Sequence, residues 1–177
     1  MLLVLITGLP GTGKSTMADV AARELGAALL GHDWAMSGLR PYREIQEALD
    51  AMDPPGHRDV GWSILWALAR AQLRMGSSVV LDGVARQPEV AGTRRVAEEE
   101  GARSLVVTTG CSDPDVHRAR VEGRRRDIPN WYELDWDHVA RSRALWATPD
   151  DVDLVLEATD PVGVNADALR QVIGSLP

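Results

Sequence analysis

The sequence has little of several residue types, and each scarcity narrows the function. Among 177 residues there is no phenylalanine, and the one cysteine, Cys111, excludes an internal disulfide and suits the reducing cytoplasm. No apolar run approaches the roughly 18 residues that a membrane-spanning helix needs, so we expect no membrane partner. Positive charge is scarce as well, because the formal net charge is −7. This acidic balance argues against a broad nucleic-acid-binding surface, which needs clustered cations.

Short apolar runs alternate with longer amphipathic segments along the chain. The apolar runs predict strands at 2–7, 27–31, 77–82, 104–109 and 152–158, and helical periodicity is found at about 14–25, 60–75, 88–100, 113–125, 136–146 and 163–174. Continuous apolar strands separated by helices indicate a parallel sheet that is covered on both faces. The length suits one domain over residues 1–177. Proline, glycine and polar residues predict loops at 53–59 and 124–135, and loops of this length are often lids.

Only one of the 19 lysine and arginine residues is a lysine, and it lies in the stretch "GLPGTGKST" (8–16). The stretch fits G-x-x-x-x-G-K-[ST] and lies between a predicted strand and a predicted helix, which is the context that this motif requires. Its glycines allow backbone N–H groups to turn towards a phosphate, and the helix N-terminus adds its positive dipole. The planar fork of an arginine would not fit where a slim ammonium must reach into a closed loop. The stretch therefore predicts a nucleoside triphosphate site.

Every residue of this stretch is expected to take part in binding ATP and Mg²⁺. Lys14 is expected to reach the β- and γ-phosphates, and the Ser15 hydroxyl is expected to ligate Mg²⁺. The other members of the predicted site are Gly8, Leu9, Pro10, Gly11, Thr12, Gly13 and Thr16.

Two aspartates lie at the ends of predicted strands. Asp33 follows the second strand in "LLGHDW", whose carboxyl end should open into the same crevice as the glycine-rich loop. A carboxylate there can accept the proton of a substrate hydroxyl during phosphoryl transfer, and the alternative is that Asp33 is the N-cap of a short helix over 34–40. Asp82 ends the third strand in "SSVVLD". It can hold Mg²⁺ or its waters, or it can begin the next loop by accepting backbone N–H groups.

The stretches "GLPGTGKST", "LLGHD" and "SVVLDG", in this order and spacing, resemble the small P-loop kinases of the AAA-domain type. That group includes chloramphenicol phosphotransferase, zeta-toxin kinases and the kinase domain of polynucleotide kinase, and the resemblance covers nearly the whole chain. It implies a three-layer α/β fold with a five-stranded parallel sheet of order 2-3-1-4-5. It also implies that ATP with Mg²⁺ is the phosphoryl donor and that Asp33 is the general base.

An arginine run marks the predicted lid. The segment "VHRARVEGRRRDIP" places Arg120 and Arg124 on one predicted helical face, with Arg125 and Arg126 at the helix end and Gly123 as the expected hinge. Arginine forks bind phosphate oxygens bidentately. The resemblance implies that lid arginines close onto ATP, where they offset charge in the transition state, so Arg120 and Arg124 are predicted catalytic and ATP-binding residues. The alternative is a solvated face that pairs with nearby carboxylates.

Aromatic residues near the second strand suggest the acceptor side of the site. The predicted acceptor-site residues are Asp33, Trp34, Tyr42, Asp82 and Arg86. Trp62 and Trp66 lie at helical spacing and are expected to belong to the core. An aromatic pocket favours a small organic acceptor, such as an antibiotic, a nucleoside or a sugar-like metabolite.

The sequence thus predicts an ATP-dependent kinase that phosphorylates a hydroxyl of a small molecule. A kinase of nucleic-acid 5′ ends or of nucleotide sugars, and a P-loop ATPase without kinase activity, are the alternatives. A GTPase is excluded because no lysine follows Lys14, so the base-reading N/T-K-x-D motif is absent from the sequence. The identity of the acceptor and the oligomeric state stay open.

Overall fold

The computed structural model describes residues 1–176, apart from the side chain of Leu145. Its strands are β1 (Leu2–Gly8), β2 (Ala28–Gly31), β3 (Val79–Asp82), β4 (Arg103–Gly110) and β5 (Leu154–Glu157). Its helices are α1 (Lys14–Leu25), α2 (His32–Ser37), α3 (Arg43–Asp50), α4 (His57–Arg74), α5 (Gln87–Glu99), α6 (Pro114–Gly123), α7 (Trp136–Leu145) and α8 (Val162–Ser175).

The strands form one five-stranded parallel sheet of order β2-β3-β1-β4-β5, which confirms the expected fold. The central strand β1 is buried over its whole length, as its uninterrupted apolar sequence predicts. Since every strand runs the same way, the carboxyl ends of β1, β2 and β3 meet at one edge. The register brings Asp82 level with both Ile6 on β1 and Gly31 on β2.

Two apolar layers enclose the sheet. Helices α1 and α8 cover one face, where they pack on side chains such as Val4 and Ile6. Helices α4 and α5 cover the other face around Leu3, Leu5 and Trp62, whose indole is almost fully buried. The prediction that Trp62 belongs to the core is therefore confirmed. The alternation of β1 side chains between the two layers follows from the two-residue period of a strand.

The helices differ from the predicted ones in the segment between β2 and β3. Helix α3 was not predicted, because only Leu49 among its side chains is buried, and exposed pairs such as Arg43–Glu47 (2.9 Å) accompany it. Helix α4 begins at His57, inside a predicted loop, and α2 ends at Ser37 although a helix was expected over 34–40. No helix within residues 1–176 is both long and apolar enough to cross a membrane.

An ion pair supports the loop that follows β3. Arg58 at the start of α4 donates from Nε and Nη2 to the carboxylate of Glu89, at 2.6 and 3.1 Å, and from Nη2 to the carbonyl of Val84 at 2.7 Å. Glu89 also accepts the backbone N–H of Arg86 and is buried. Burial would raise the pKa of Glu89, but the hydrogen bonds from Arg58 and Arg86 hold it below the ordinary value. The pair ties α4 and α5 to the residues directly after Asp82.

Candidate functional site

The glycine-rich loop follows β1 and has a backbone that favours glycine. Gly8, Gly11 and Gly13 have φ values of 138°, 87° and 85°. At Gly8 a Cβ would also lie 2.3 Å from the carbonyl oxygen of Thr109, so the loop approaches β4 more closely than a side chain permits. The spacing of glycines in the motif therefore corresponds to backbone positions that other residues adopt only with strain.

Hydrogen bonds within the loop fix its shape. The Thr12 hydroxyl donates to the carbonyl of Leu9 at 2.7 Å and lies 2.7 Å from the hydroxyl of Thr109 on β4. Lys14 is buried, and its Nζ donates to the same Leu9 carbonyl at 3.3 Å. Burial lowers the pKa of Lys14, while the charges of Asp82 and Asp33 oppose that shift. Both carboxylates predicted to be functional thus act on the single lysine.

Ser15 and Asp82 form the second part of the site. The Ser15 hydroxyl donates to Asp82 Oδ2 at 2.7 Å, across 67 residues of sequence. Asp82 Oδ1 is buried and has no hydrogen-bond partner among residues 1–176. Burial raises the pKa of Asp82, opposed by Lys14 and by the hydrogen bond from Ser15.

A hydroxyl and a carboxylate oxygen side by side are the hard oxygen ligands that Mg²⁺ prefers. Mg²⁺ commonly takes only one or two protein ligands and completes its shell with water and phosphate. Within residues 1–176 there is no cluster of three or more histidine, cysteine or acidic side chains that could hold a metal. Ser15 and the partnerless Asp82 Oδ1 therefore fit Mg²⁺ in the presence of a bound nucleotide.

Asp33 lies in the first turn of α2, at the carboxyl end of β2. The N-cap of α2 is Gly31, and no side chain caps this helix, so the capping alternative for Asp33 is wrong. Asp33 Oδ2 instead accepts a hydrogen bond from Nη1 of Arg126, and Oδ1 lies 3.7 Å from Nδ1 of His32. Burial would raise the pKa of Asp33, but His32 and Arg126 hold it below its ordinary value, so the carboxylate is ionised at neutral pH.

The predicted lid segment, 124–135, contains neither helix nor strand and connects α6 to α7. Helix α6 ends at Gly123, so Arg124 is the C-cap residue and has an extended backbone. The prediction that Arg120 and Arg124 share a helical face is therefore wrong. The Nε and Nη2 atoms of Arg124 are buried without a partner among residues 1–176. Burial and the neighbouring Arg126 lower the pKa of Arg124, opposed by Glu133, Asp33 and Asp82.

Arg126 is the residue that sequence reasoning undervalued. It contacts Asp33, Glu133 Oε2 at 3.4 Å and the Tyr132 carbonyl at 3.1 Å, and its side chain is only 16% exposed. It therefore joins segment 124–135 to the residues that follow β2, across 93 residues of sequence. No local pattern distinguishes Arg126 from Arg125 beside it, because the difference arises from which guanidinium faces α2.

Arg120 lines a cavity of about 250 Å³ beside the glycine-rich loop. The other walls come from Gly11, Thr12, Gly13, Thr16, Met17 and Thr109, and from Leu156, Ala158, Asp160, Val162 and Asn165 at and after the end of β5. The cavity has an apolar part near Met17 and Leu156, and it opens directly beside the loop. Its position suits the base and sugar of a nucleotide whose phosphates lie in the loop.

The aromatic residues predicted for the acceptor side have exposed side chains. Trp34 and Tyr42 are each 57% exposed, and Arg86 is an exposed residue at the N-cap of α5. Arg40, between Trp34 and Tyr42 in sequence, lies over the stacked rings of Trp131 and Tyr132, at 5.7 and 5.3 Å from their centroids. Segment 124–135 thus contacts the α2–α3 segment through a cation–π interaction and through the Arg126–Asp33 pair.

Sequence comparison finds relatives over most of the chain. The sequence model of a family described as AAA domain matches residues 3–148. An uncharacterized protein of Mycobacterium tuberculosis (strain ATCC 25618 / H37Rv) is 34% identical over 128 residues, which are 69% of this chain and 25% of that protein. The chain thus spans a quarter of the length of this mycobacterial relative. A UPF0200 protein of Aeropyrum pernix K1 is 34% identical over 140 residues, 75% of this chain and 70% of that protein.

Structure comparison finds the same fold in proteins that are described as kinases. A sugar kinase from Janibacter sp. HTCC2649 has a TM-score of 0.70 at 18% identity, covering 100% of this chain and 96% of that chain. A gluconokinase from Sinorhizobium meliloti 1021 has a TM-score of 0.68 at 14% identity, covering 98% and 91%. An APS kinase from Mycobacterium tuberculosis, in complex with AMPPNP and APS, has a TM-score of 0.63 at 20% identity, covering 98% and 97%.

Proposed function

The chain belongs to the AAA domain family, and from that membership and its site geometry we propose that it is an ATP-dependent phosphotransferase. Residues 1–177 form one P-loop kinase domain with a lid at 124–135. It transfers the γ-phosphoryl group of ATP to a hydroxyl of a small organic molecule, such as an antibiotic, a nucleoside or a sugar-like metabolite.

One observation carries the proposal: a buried lysine, a serine–aspartate pair and a second carboxylate meet at one edge of the sheet. Lys14 lies beneath the loop, Ser15 bonds to Asp82 at 2.7 Å, and the charge of Asp33 acts on Lys14. Lys14 can pair with phosphate oxygens, and Ser15 with Asp82 can hold the Mg²⁺ that accompanies them. The second carboxylate adds a proton acceptor on the side of the loop where the γ-phosphate would end.

The nucleotide is bound by the glycine-rich loop and by the cavity beside it. The backbone of 8–16 surrounds the phosphates, and Lys14 neutralises the β- and γ-phosphate oxygens. Arg120 lines the adjoining cavity, where its guanidinium can stack on the base. Ser15 and Asp82 would hold a Mg²⁺, directly or through its waters, and the ion would supply further neutralisation of the phosphate charge.

Phosphoryl transfer requires that the acceptor hydroxyl lose its proton as its oxygen bonds to phosphorus. Asp33 accepts that proton, the bond between the γ-phosphorus and the bridging oxygen breaks, and ADP leaves. In the structure Asp33 Oδ2 accepts from Arg126, so the acceptor hydroxyl must displace that guanidinium or use Oδ1. Arg124 has two buried nitrogens without a partner within residues 1–176, and these are suited to the oxygens of the transferring phosphoryl group.

The structural neighbours support a small-molecule acceptor without naming it. Their descriptions include a sugar kinase, a gluconokinase and an APS kinase, which act on different acceptors within one fold. The fold is therefore compatible with several acceptors. The segment from α2 to α4, which lies next to Asp33, is where specificity for one acceptor would arise.

The test is ADP release in the presence of ATP and Mg²⁺, measured across a panel of sugars, nucleosides, antibiotics and organic acids. We expect one chemical class to stimulate release and to yield a phosphorylated product by mass spectrometry. Asp33→Asn should keep its ATP affinity and lose about 10²–10⁴-fold in kcat, the usual effect of losing a general base.

A matched control is Asp59→Asn, which changes an exposed aspartate in the first turn of α4. It should leave turnover unchanged. ATP hydrolysis that no acceptor stimulates, and that Asp33→Asn leaves intact, would instead identify a P-loop ATPase and refute the proposal. A product phosphorylated at a nucleic-acid 5′ end would refute the small-molecule acceptor alone.

A further inference from the structure

A second cavity, of about 310 Å³, lies on the side of β4 that faces away from α1 and α8. Its floor contains Thr108 and Val155, which are paired in the sheet register. Because Val106 belongs to the α4–α5 layer and Val107 to the α1–α8 layer, the two-residue period places Thr108 on the α4–α5 side. The nucleotide cavity contains Leu156, which belongs to the other layer.

The two cavities share one wall. Thr12 and Thr109 line both, and their hydroxyls lie 2.7 Å apart. The remaining lining of the second cavity comes from Leu9 of the glycine-rich loop, from β4 and the residues after it, from α6, and from α7 with its following segment. These residues are Leu9, Gly110, Cys111, His117, Arg143, Trp146 and Thr148.

The charge of the second cavity is positive, although the chain is acidic. Among its described lining residues Arg143 is cationic and none is acidic. Arg143 is exposed, like Arg141 on the same helix, and it has no ion pair or side-chain hydrogen bond within residues 1–176, so its guanidinium is available to a ligand there. The carboxylate of Glu157, which lies near Cys111, already accepts the backbone N–H groups of Ser112 and Thr159 at 3.1 and 3.0 Å.

The histidine in the wall is buried and carries no charge. His117 is 1% exposed, and its Nε2 donates to the Pro10 carbonyl at 2.7 Å, so its Nδ1 is left as a hydrogen-bond acceptor. This Nδ1 has no partner among residues 1–176. Burial lowers the pKa of His117, and the charge of Arg143 lowers it further, so the ring is neutral at pH 7. This Nδ1 is an acceptor that solvent does not reach, and a carboxylate has no proton to donate to it, so His117 contributes a neutral ring to the wall and no hydrogen bond to the ligand.

We propose that this cavity is a second ligand site, separate from the nucleotide site, which binds a small organic carboxylate with a flat apolar body. The carboxylate pairs with Arg143, whose planar fork matches its two oxygens. The body of the ligand packs on Trp146, Val155 and Leu9, which supply the apolar surface. The volume accommodates a single ring with its carboxylate.

The second cavity is in contact with the glycine-rich loop. Leu9 lines the cavity, and its carbonyl accepts from both Thr12 and Lys14. His117 holds the neighbouring carbonyl of Pro10. A ligand in the second cavity therefore touches the residues that fix the shape of the loop.

The experiment is an NMR titration of the ¹⁵N-labelled protein with benzoate, recorded with the nucleotide site saturated by AMPPNP and Mg²⁺. We expect saturable shifts at the amides of Gly110 and Cys111 and at the indole N–H of Trp146. Arg143→Gln should weaken benzoate binding about three- to fivefold, because Arg143 is an exposed residue and its pair with the carboxylate is screened by solvent. Arg141→Gln removes an exposed arginine from the same helix and should leave the affinity within about twofold, since that residue does not line the cavity.

Two further titrations distinguish binding in the second cavity from binding at the glycine-rich loop. Benzyl alcohol, which lacks the charge, should bind wild type and Arg143→Gln equally weakly. Lys14→Ala, compared with wild type with both proteins free of nucleotide, should retain benzoate binding, because Lys14 does not line the second cavity. The proposal is overturned if benzoate gives no saturable shift up to about 20 mM, a ceiling weaker than ordinary fragment affinity. It is also overturned if the shifts are confined to 8–16, or if Arg143→Gln binds as wild type does.

Discussion

The contact between the glycine-rich loop and α6 can be tested by placing a methyl group at Gly11. An alanine Cβ there would lie 2.6 Å from Cγ2 of Val121 and 3.2 Å from Cδ2 of His117. Carbon atoms normally approach to about 3.5–4.0 Å, so the methyl group overlaps Val121 by roughly 1 Å. Val121 is buried, and the ring of His117 is held by its hydrogen bond to Pro10. Neither neighbour can move away without displacing α6 or the loop.

The expected loss in the free energy of unfolding on Gly11→Ala has two parts. Gly11 has φ +87°, and an alanine in this left-handed region loses roughly 1–2 kcal/mol, of which reduced freedom in the unfolded chain returns about half. Overpacking a filled site adds about 1–3 kcal/mol. Gly13 is a matched control, because its φ is +85° and nothing lies within 4 Å of its Cβ position. Gly13→Ala should therefore show the backbone part alone, about 1 kcal/mol.

Urea unfolding of the ligand-free protein, followed by circular dichroism, measures both variants. Gly11→Ala should be less stable than Gly13→Ala by about 1–3 kcal/mol with an unchanged m-value, which corresponds to roughly 3–9 °C in Tm. In a Val121→Ala background most of the extra loss at Gly11 should disappear, because the closest overlap is gone and only the 3.2 Å contact with His117 is left. Equal destabilisation by the two glycine substitutions would show that α6 does not pack on the loop as the structure has it.

Other parts of the site give three further predictions. Lys14→Ala should abolish phosphoryl transfer, and Lys14→Arg should not restore it, because a guanidinium does not fit where Nζ lies beside the Leu9 carbonyl; near-normal kcat for Lys14→Arg would contradict this. Glu89→Gln should lower the free energy of unfolding by about 2 kcal/mol at pH 7, against about 0.5 kcal/mol or less for the exposed Glu47→Gln. Since the folded pKa of Glu89 lies below 4.5, the ionised carboxylate contributes its full stabilisation above pH 4.5 and loses it as the pH falls through the folded pKa. Urea unfolding at a series of pH values should therefore show the free energies of unfolding of the two variants converge in acid. Hydrogen exchange over 124–135 should slow when a non-hydrolysable ATP analogue binds, and equal protection in both states would show that this segment is a fixed element.

Local features of the site could be predicted from the sequence because local physics determines them. The glycines at 8, 11 and 13 correspond to three positive φ values, and the apolar runs correspond to buried parallel strands. The expected lid boundaries, 124–135, fall between α6 and α7, since Asp135 begins α7 as an N-cap that accepts from the N–H of His138. The order of the strands came from the resemblance to small P-loop kinases, because the periodicity of a strand contains no information about its neighbour.

The roles that remained open depend on which side chains the fold brings together over long sequence separations. Whether Asp33 caps a helix or faces the site could not be predicted, because its partner Arg126 is 93 residues away and resembles the arginines beside it. The second cavity exists only because β4, α6 and α7 meet there, and the Thr12–Thr109 wall joins residues 97 positions apart. The sequence by itself determined the glycine-rich loop, its lysine and the strand pattern, since backbone conformation and burial periodicity act within a few residues. Only the tertiary structure decided which arginine pairs with Asp33 and which side chains enclose the cavities, because a side chain's charge and shape do not specify its distant neighbours until the sheet is assembled.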